Sequence, residues 1–347
     1  MRGDLIIGAV LAVFAAALIC IAIADWTAEE EPTEQDMGLI EWGTVIYADA
    51  DDASGALEKS TVSGQPAVIA TNLGNGSYRI GNETYNYQVI KAHVDAIMTM
   101  GQSNAAYYRP INASEADPVP QAGTAFYWGY ESGMAVNANS DTTGYKIYDF
   151  IGPNGLRVGD KGPAECATYY SLTGVKVLWL SLGIPAKKIA AWDEGNSAWT
   201  LDAAWMSQAM PLVNQYFDID KVWLTWAQGE TDAGQATTEE SYAASFQSMH
   251  SRIQAGDLGL VPDAWFLVCG RDAIMNRNGV DVNEYLRNIA ETESDVYLAI
   301  DQDLPDSFTT ANGLLDSDAI HYTQKGDNLI AVALAKYIVQ WQGFIVG

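Results

Sequence analysis

From residue 94 onward the chain alternates short apolar runs with longer helical stretches, and few folds accept that alternation. The runs are Ala96 to Met100, Val175 to Leu182, Val222 to Trp226, Trp265 to Cys269 and Val296 to Ile300. Each is short, apolar and without clear period-two patterning, as expected of a strand buried on both faces. Between them lie helical patterns around Ala164 to Leu172, Ala198 to Tyr216, Glu239 to Ile253 and Val282 to Thr292, and a last one runs from about Asp327 to Gln342. Strand and helix in strict alternation predict a parallel sheet covered by helices on both faces, an α/β fold built as a three-layer α/β/α sandwich. The length of 347 residues accommodates one such domain plus an appendage, and 48% hydrophobic residues suffice for its core.

Three separated segments carry chemistry: GQSN at Gly101 to Asn104, WAQGETD at Trp226 to Asp232, and DAIHYTQKG at Asp318 to Gly326. Ester hydrolysis at neutral pH requires a nucleophile, a base, a group that fixes the base's tautomer, and donors for a tetrahedral oxyanion. Only three histidines are present. His93 falls at the start of the first apolar run, at the far end from Ser103, and His250 lies in a helical pattern and reads as a surface residue. His321 is left as the base. Asp318, three residues earlier in a tight loop before a helix beginning near Gln324, can reach one ring nitrogen while the other points toward a serine. Ser103 follows the first strand, where open α/β sheets bind their ligands. The bland alternatives are a helix N-cap for Ser103 and a capped surface loop for the DxxH segment.

Taken together, these segments resemble the SGNH hydrolase superfamily, and within it the sialate O-acetylesterase-like branch that includes carbohydrate esterase family six. The likeness spans about residues 94 to 345. It implies an SGNH or flavodoxin-like sandwich, Ser103 as nucleophile, His321 as general base and acid, and Asp318 as its orienting carboxylate. Oxyanion donors are expected from the Ser103 backbone amide and the Gln228 side chain. The branch usually carries a Gly-Gly pair before an I-x-x-W segment, whereas this chain has Pro185 and Ala186 ahead of Ile189 to Trp192. Proline has no N–H, so the middle donor must come from Ala186, Lys187 or an altered loop. Ala105 stands where methionine is common.

Substrate contacts are expected from Gln102, Asn104, Glu230, Tyr107 and Trp128. The last lies in AFYWGYESG, within a long Gly- and Asn-rich segment between Arg109 and Gly162. Aromatic rings near a nucleophile can stack on sugars, or they can simply pack the insertion. The resemblance implies an O-acetylated carbohydrate substrate and no cofactor. Glu230 and Asp232 could be read as metal ligands, but no His or Cys lies close to them in sequence. A structural role is expected instead, with Glu230 bonding loops beneath the nucleophile. A catalytically inactive surface adhesion or glycan-binding protein of the same fold is the rival reading.

The net charge of −26, with only 18 lysines and arginines, excludes nucleic acid as a partner. At the amino end, Leu5 to Ala24 is uncharged and long enough to span a bilayer, with Arg2 before it and Glu29, Glu30 and Glu31 after it. Residues 1–25 are therefore expected to anchor the chain in the membrane with everything after them outside the cell. A cleaved signal peptide ending at Ala24 would also export the protein. Residues 26–37 read as an acidic linker, 38–92 as a small β-rich unit, and 93–347 as the esterase-type domain. Cys166 and Cys269 read as separate core thiols.

Overall fold

The computed structural model describes residues 92–105, 115–129, 145–152, 155–157, 159 and 161–343, together with the backbone of 70–72, 77–80 and 83–86. The anchor, the linker and the position of Tyr107 lie outside these residues. Among the described residues, no helix is long and apolar enough to cross a membrane.

The chain divides into two compact units, with the main boundary between Ala92 and His93. In the first, strands β1 (Ala70–Asn72), β2 (Ser77–Ile80) and β3 (Glu83–Asn86) form an antiparallel three-stranded sheet. Short strands punctuated by Asn and Gly favour this meander.

Onward from Ala92 the chain forms β4 (Ala92–Gly101), β5 (Ala125–Gly129), β6 (Lys146–Asp149), the short pair β7 (Ile151–Gly152) and β8 (Gly155–Leu156), and helix α1 (Lys161–Thr173). Next come β9 (Lys176–Gly183), a 3₁₀ turn (Ile189–Trp192), α2 (Ser197–Tyr216), β10 (Phe217–Ala227), α3 (Glu230–Gly234), α4 (Glu239–Gln254) and β11 (Ala264–Val268). The chain then forms α5 (Asp272–Met275), the two-residue strands β12 (Asn276–Arg277) and β13 (Val280–Asp281), α6 (Val282–Thr292), β14 (Val296–Ile300), α7 (Asp303–Asp306) and α8 (Gln324–Trp341).

Seven strands make the central sheet in the order β14-β11-β10-β4-β9-β5-β6. The pairs β11–β14, β10–β11, β4–β9 and β9–β5 are parallel, and only edge strand β6 runs antiparallel. Strands β4 and β10 also run the same way: His93 meets Asp220 at their beginnings, and Gln102 meets Ala227 at their ends. Burial explains the apolar runs. Every residue of β4 except His93 is buried, as are all of β11 and the last six of β10.

Both faces of the sheet are covered. On one, α1 and α8 pack over Ile97, Tyr127, Trp179, Trp223 and Phe266. On the other, Trp226 and Trp265 meet Phe246 of α4, and Trp226 meets Trp192 of the 3₁₀ turn. Each fully buried large side chain contributes about 1.5–3 kcal/mol relative to exposure, so these aromatic layers hold the three layers together.

The structure corrects the reading of the segment between Arg109 and Gly162. It is not solely an insertion, because AFYWG is strand β5, hydrogen-bonded between β9 and β6. Its aromatic content serves strand formation and core packing. Cys166 and Cys269 are both buried free thiols.

Candidate active site

The nucleophile candidate sits on a turn that only glycine can start. Gly101 adopts φ +126°, and a Cβ there would stand 2.1 Å from the Ala227 carbonyl oxygen. Its absence lets the end of β4 press against the end of β10. Gln102 N–H then donates to Ala227 O at 3.0 Å, and Ala105 N–H donates to Gln102 O at 2.8 Å, closing the turn. Ser103 lies at its crest, at the carboxyl ends of the strands, where β4 leads toward β9 and β10 leads toward β11.

His321 Nε2 is 2.9 Å from Ser103 Oγ, and His321 Nδ1 is 2.6 Å from Asp318 Oδ2. A carboxylate can only accept, so the neutral ring carries its proton on Nδ1 and offers the Nε2 lone pair to the serine hydroxyl. Asp318 is held in place by its own loop, since Oδ1 accepts from the N–H groups of Ile320 at 2.9 Å and His321 at 3.0 Å. Partial burial pushes the Asp318 carboxyl up. The bonds from the His321 ring and from these two amides outweigh that effect and bring its pKa down to about 2.

The rest of the loop is fixed from several directions. Asp316 N–H donates to His321 O at 2.8 Å, and Arg271 Nη1 donates to Ala319 O at 2.8 Å. Thr323 caps α8 by accepting from Gly326 N–H at 3.3 Å. Gly326 must be glycine, because a Cβ there would stand 2.3 Å from Leu314 O.

Asn104 and Glu230 brace the serine turn from beneath. Asn104 Nδ2 donates to Glu230 Oε1 at 2.8 Å and to Ile320 O at 3.3 Å, so one side chain joins all three sequence segments. Lys161, itself buried, donates its ammonium to the Asn104 carbonyl, and Arg277 Nη2 donates to Glu230 O at 2.6 Å. Burial pushes the Glu230 carboxyl up, opposed by hydrogen bonds from a backbone amide and from Asn104 and by the nearby His321 and Lys161 charges. Gln102 is likewise turned inward, with Oε1 3.4 Å from both Gln228 Nε2 and Thr231 N. Asn104 Nδ2, Glu230 Oε1 and Gln102 Oε1, expected at the substrate, are engaged within the turn here, while Glu230 Oε2 is buried without a hydrogen-bond partner.

Gln228 also departs from its expected place. Its amide hydrogens go to Lys187 O at 2.9 Å and Asp232 Oδ2 at 2.5 Å, while Oε1 accepts from the Tyr242 hydroxyl at 2.9 Å. Both amide hydrogens expected to face an oxyanion are thus engaged with protein acceptors here, and in this geometry Gln228 braces its neighbours. Asp232 Oδ2 additionally accepts from Ile189 N–H at 2.9 Å. The QGE-x-D segment thus braces the loop from Ile184 to Trp192. That loop begins with Ile184 N–H donating to Gly101 O at 2.8 Å, which sets it beside the serine turn. Ala186 adopts φ +58°. Among the described residues, the backbone N–H groups of Ser103 and Ala186 have no hydrogen-bond acceptor.

Trp128 is 2% exposed and packs edge-on against Tyr145 at 4.7 Å, so it offers no face to a sugar. His250, expected on the surface, is packed against Phe246 and Trp265 and bonded to Asp295. Lys161, Arg271 and Arg277 went unassigned in the sequence as supports of the site, and Asp232 was expected to be structural without a named partner. Their partners lie between 43 and 57 residues away, apart from the Asp232–Gln228 bond, where i,i+4 spacing was a usable signal.

No protein-family model matches the chain, and no curated protein matches its sequence. Among solved structures, NanS aligns at 11% identity and TM-score 0.48 over 73% of this chain and 98% of the other. A protein from Arabidopsis thaliana aligns at 15% identity and TM-score 0.46, over 72% of this chain and 99% of its own. A carbohydrate acetylesterase from Xanthomonas citri aligns at 15% identity and TM-score 0.44, over 80% and 62%.

Proposed function

We propose that this protein is a serine esterase that removes short acyl groups, acetyl first among them, from carbohydrates. The observation that carries the reading is the continuous relay from Asp318 Oδ2 through both His321 nitrogens to Ser103 Oγ, at 2.6 and 2.9 Å. A binding protein has no use for a serine hydroxyl aligned on a histidine whose tautomer is fixed by a buttressed carboxylate.

In this reading the Ser103 oxygen attacks the ester carbonyl carbon while His321 Nε2 takes the hydroxyl proton. The resulting imidazolium is stabilised by ionised Asp318. The negative oxygen of the tetrahedral adduct is received by the free N–H groups of Ser103 and Ala186. Collapse breaks the bond to the leaving alcohol, which takes the proton from His321 and departs, leaving an acyl-serine. Water, deprotonated by the same nitrogen, then attacks the acyl carbon. A second collapse frees the carboxylic acid and returns the proton to Ser103.

The carbohydrate part of the proposal rests on the likeness of the GQSN, QGE-x-D and DxxHyTxxG segments to O-acetylesterases of the SGNH type. We further infer that the enzyme works outside the cell, tethered by residues 5–24, because Arg2 precedes that apolar stretch and an acidic cluster follows it.

The test is hydrolysis of p-nitrophenyl acetate and of O-acetylated oligosaccharides by the wild type and by Ser103→Ala. Release of acetate from both, lost in the variant, is the expected result. Equal rates for the two proteins would leave the inactive glycan-binding reading in its place.

A further inference from the structure

A second cluster of chemically capable side chains lies at the other end of the sheet. His250 is on α4, while Glu293 and Asp295 flank the turn between α6 and β14, just before Val296 begins that strand. Asp295 O accepts from Trp265 N–H at the start of β11, so the cluster sits at the amino ends of parallel strands whose carboxyl ends carry Ser103. One ligand-type atom from each of the three residues lies within 4.8 Å of the other two, and all three side chains remain partly open to solvent.

We propose that His250, Glu293 and Asp295 form a binding site for a divalent transition-metal ion of the zinc type. Three features support this over a simple histidine–aspartate pair. First, the imidazole is oriented before any ion arrives. Its ring stacks on Phe246 at 6.1 Å with an interplanar angle of 15° and lies 4.9 Å from Trp265, which leaves Nε2 facing the Asp295 carboxylate at 3.0 and 3.1 Å.

Second, two carboxylates converge there, and among the described residues neither forms an ion pair with a lysine or arginine. An imidazole and two carboxylates carry a charge of −2, which a divalent cation neutralises, relieving their repulsion. Third, each carboxylate has an amide partner of its own. Gln247 Nε2 donates to Glu293 Oε1 at 3.2 Å and Gln254 Nε2 donates to Asp295 Oδ2 at 2.7 Å, which leaves Glu293 Oε2 and Asp295 Oδ1 as ligands once an ion displaces the proton that His250 Nε2 shares with Asp295.

The donor set selects the ion. One imidazole nitrogen with two carboxylate oxygens and room for water suits Zn²⁺, Co²⁺ or Mn²⁺, whereas Ca²⁺ prefers six to eight oxygens. Bound there, the ion would tie α4 to the α6–β14 turn and act on stability, with no part in ester hydrolysis.

The experiment is to strip the full chain with a chelator and titrate it with ZnCl₂, CoCl₂ and CaCl₂. Bound metal, the visible absorption of Co²⁺ and the thermal midpoint are followed together. Expected are one equivalent of Zn²⁺ or Co²⁺, a raised midpoint and no response to Ca²⁺. His250→Ala and Glu293→Gln should each weaken Co²⁺ binding at least tenfold. Glu293→Gln retains shape and removes one ligand charge, so it answers the question even if His250→Ala unfolds. His321→Ala should leave binding unchanged, and chelation should leave p-nitrophenyl acetate turnover of the wild type unchanged. No uptake, uptake unaffected by Glu293→Gln, or uptake abolished by His321→Ala would overturn the site.

Discussion

Asn104 and Glu230 are 126 residues apart in sequence and joined by a buried hydrogen bond of 2.8 Å directly under the Ser103 turn. The same Asn104 amide reaches Ile320 O at 3.3 Å, next to His321. Serine, histidine and the QGE segment are thereby held as one rigid unit. Glu230→Ala should strand the amide in a buried site, lowering stability by about 1–3 kcal/mol and reducing kcat more than it raises KM. Glu230→Gln, which keeps an acceptor oxygen, should be milder in both. Equal damage from the two, measured by urea unfolding and steady-state kinetics, would mean that the charge and not the hydrogen bond matters.

Ser103→Ala and His321→Ala should each lower kcat/KM for an acetyl ester by on the order of 10⁴-fold or more, and the double variant should be scarcely worse than either. The reason is that proton transfer from Oγ to Nε2 needs both atoms at once. Additive losses in the double variant would refute their action as a unit.

Gln228→Ala and Asp232→Asn should resemble one another, because both release the loop from Ile184 to Trp192. Each should reduce turnover and destabilise the fold by about 1–3 kcal/mol. Their double variant should fall well short of the sum, since they share one hydrogen-bond network. A loss of rate by Gln228→Ala with no change in stability would instead return Gln228 to the role of an oxyanion donor.

The strained residue in that loop offers an independent check. Ala186 holds φ +58°, a conformation that costs an L-residue about 1–2 kcal/mol and glycine nothing. Offset by glycine's greater freedom in the unfolded chain, Ala186→Gly should raise stability by up to about 1 kcal/mol, with turnover retained because the N–H is still present. Thermal melts and p-nitrophenyl acetate kinetics on the one variant test both halves of this statement.

Asp318 gives a pH signature. Its folded value, about 2, lies below the ordinary 3.8. The stability it contributes is therefore fully present above 3.8 and is lost as pH falls through about 2. The difference in thermal midpoint between the wild type and Asp318→Asn should persist down to about pH 4 and shrink as the pH falls further toward 2. A difference that vanished near neutrality would contradict an ionised, hydrogen-bonded Asp318.

The sequence by itself determined the layer architecture and singled out Ser103, His321 and Asp318, which the structure brings within hydrogen-bonding reach of one another. Apolar runs such as Ala96 to Met100 can be stable only when buried on both sides, which demands helices above and below. With three histidines in the chain, two of them in unpromising contexts, His321 could be reached by elimination. Its aspartate was legible because three-residue spacing in a tight loop is a local matter. Strand β5 was not legible, since AFYWG suits a sheet edge and an aromatic binding patch equally well and only its pairing with β9 and β6 decides between them.

The orientation of polar side chains was likewise left to the tertiary structure. Gln102, Asn104, Gln228 and Glu230 read as substrate or oxyanion contacts because they adjoin the nucleophile in sequence or in motif. Their partners, Lys187, Ile320, Thr231 and one another, come from loops and the short helix α3, whose approach depends on how β4 and β10 terminate. Gly101 permits that approach to within contact of Ala227, and once the turn is so close its amides are drawn into the interior, where buried donors must find acceptors. The same dependence on distant pairing hid the cluster of His250, Glu293 and Asp295: the two carboxylates share one turn, but the histidine lies 45 residues before Asp295 and meets them only because α4 packs beside the turn into β14.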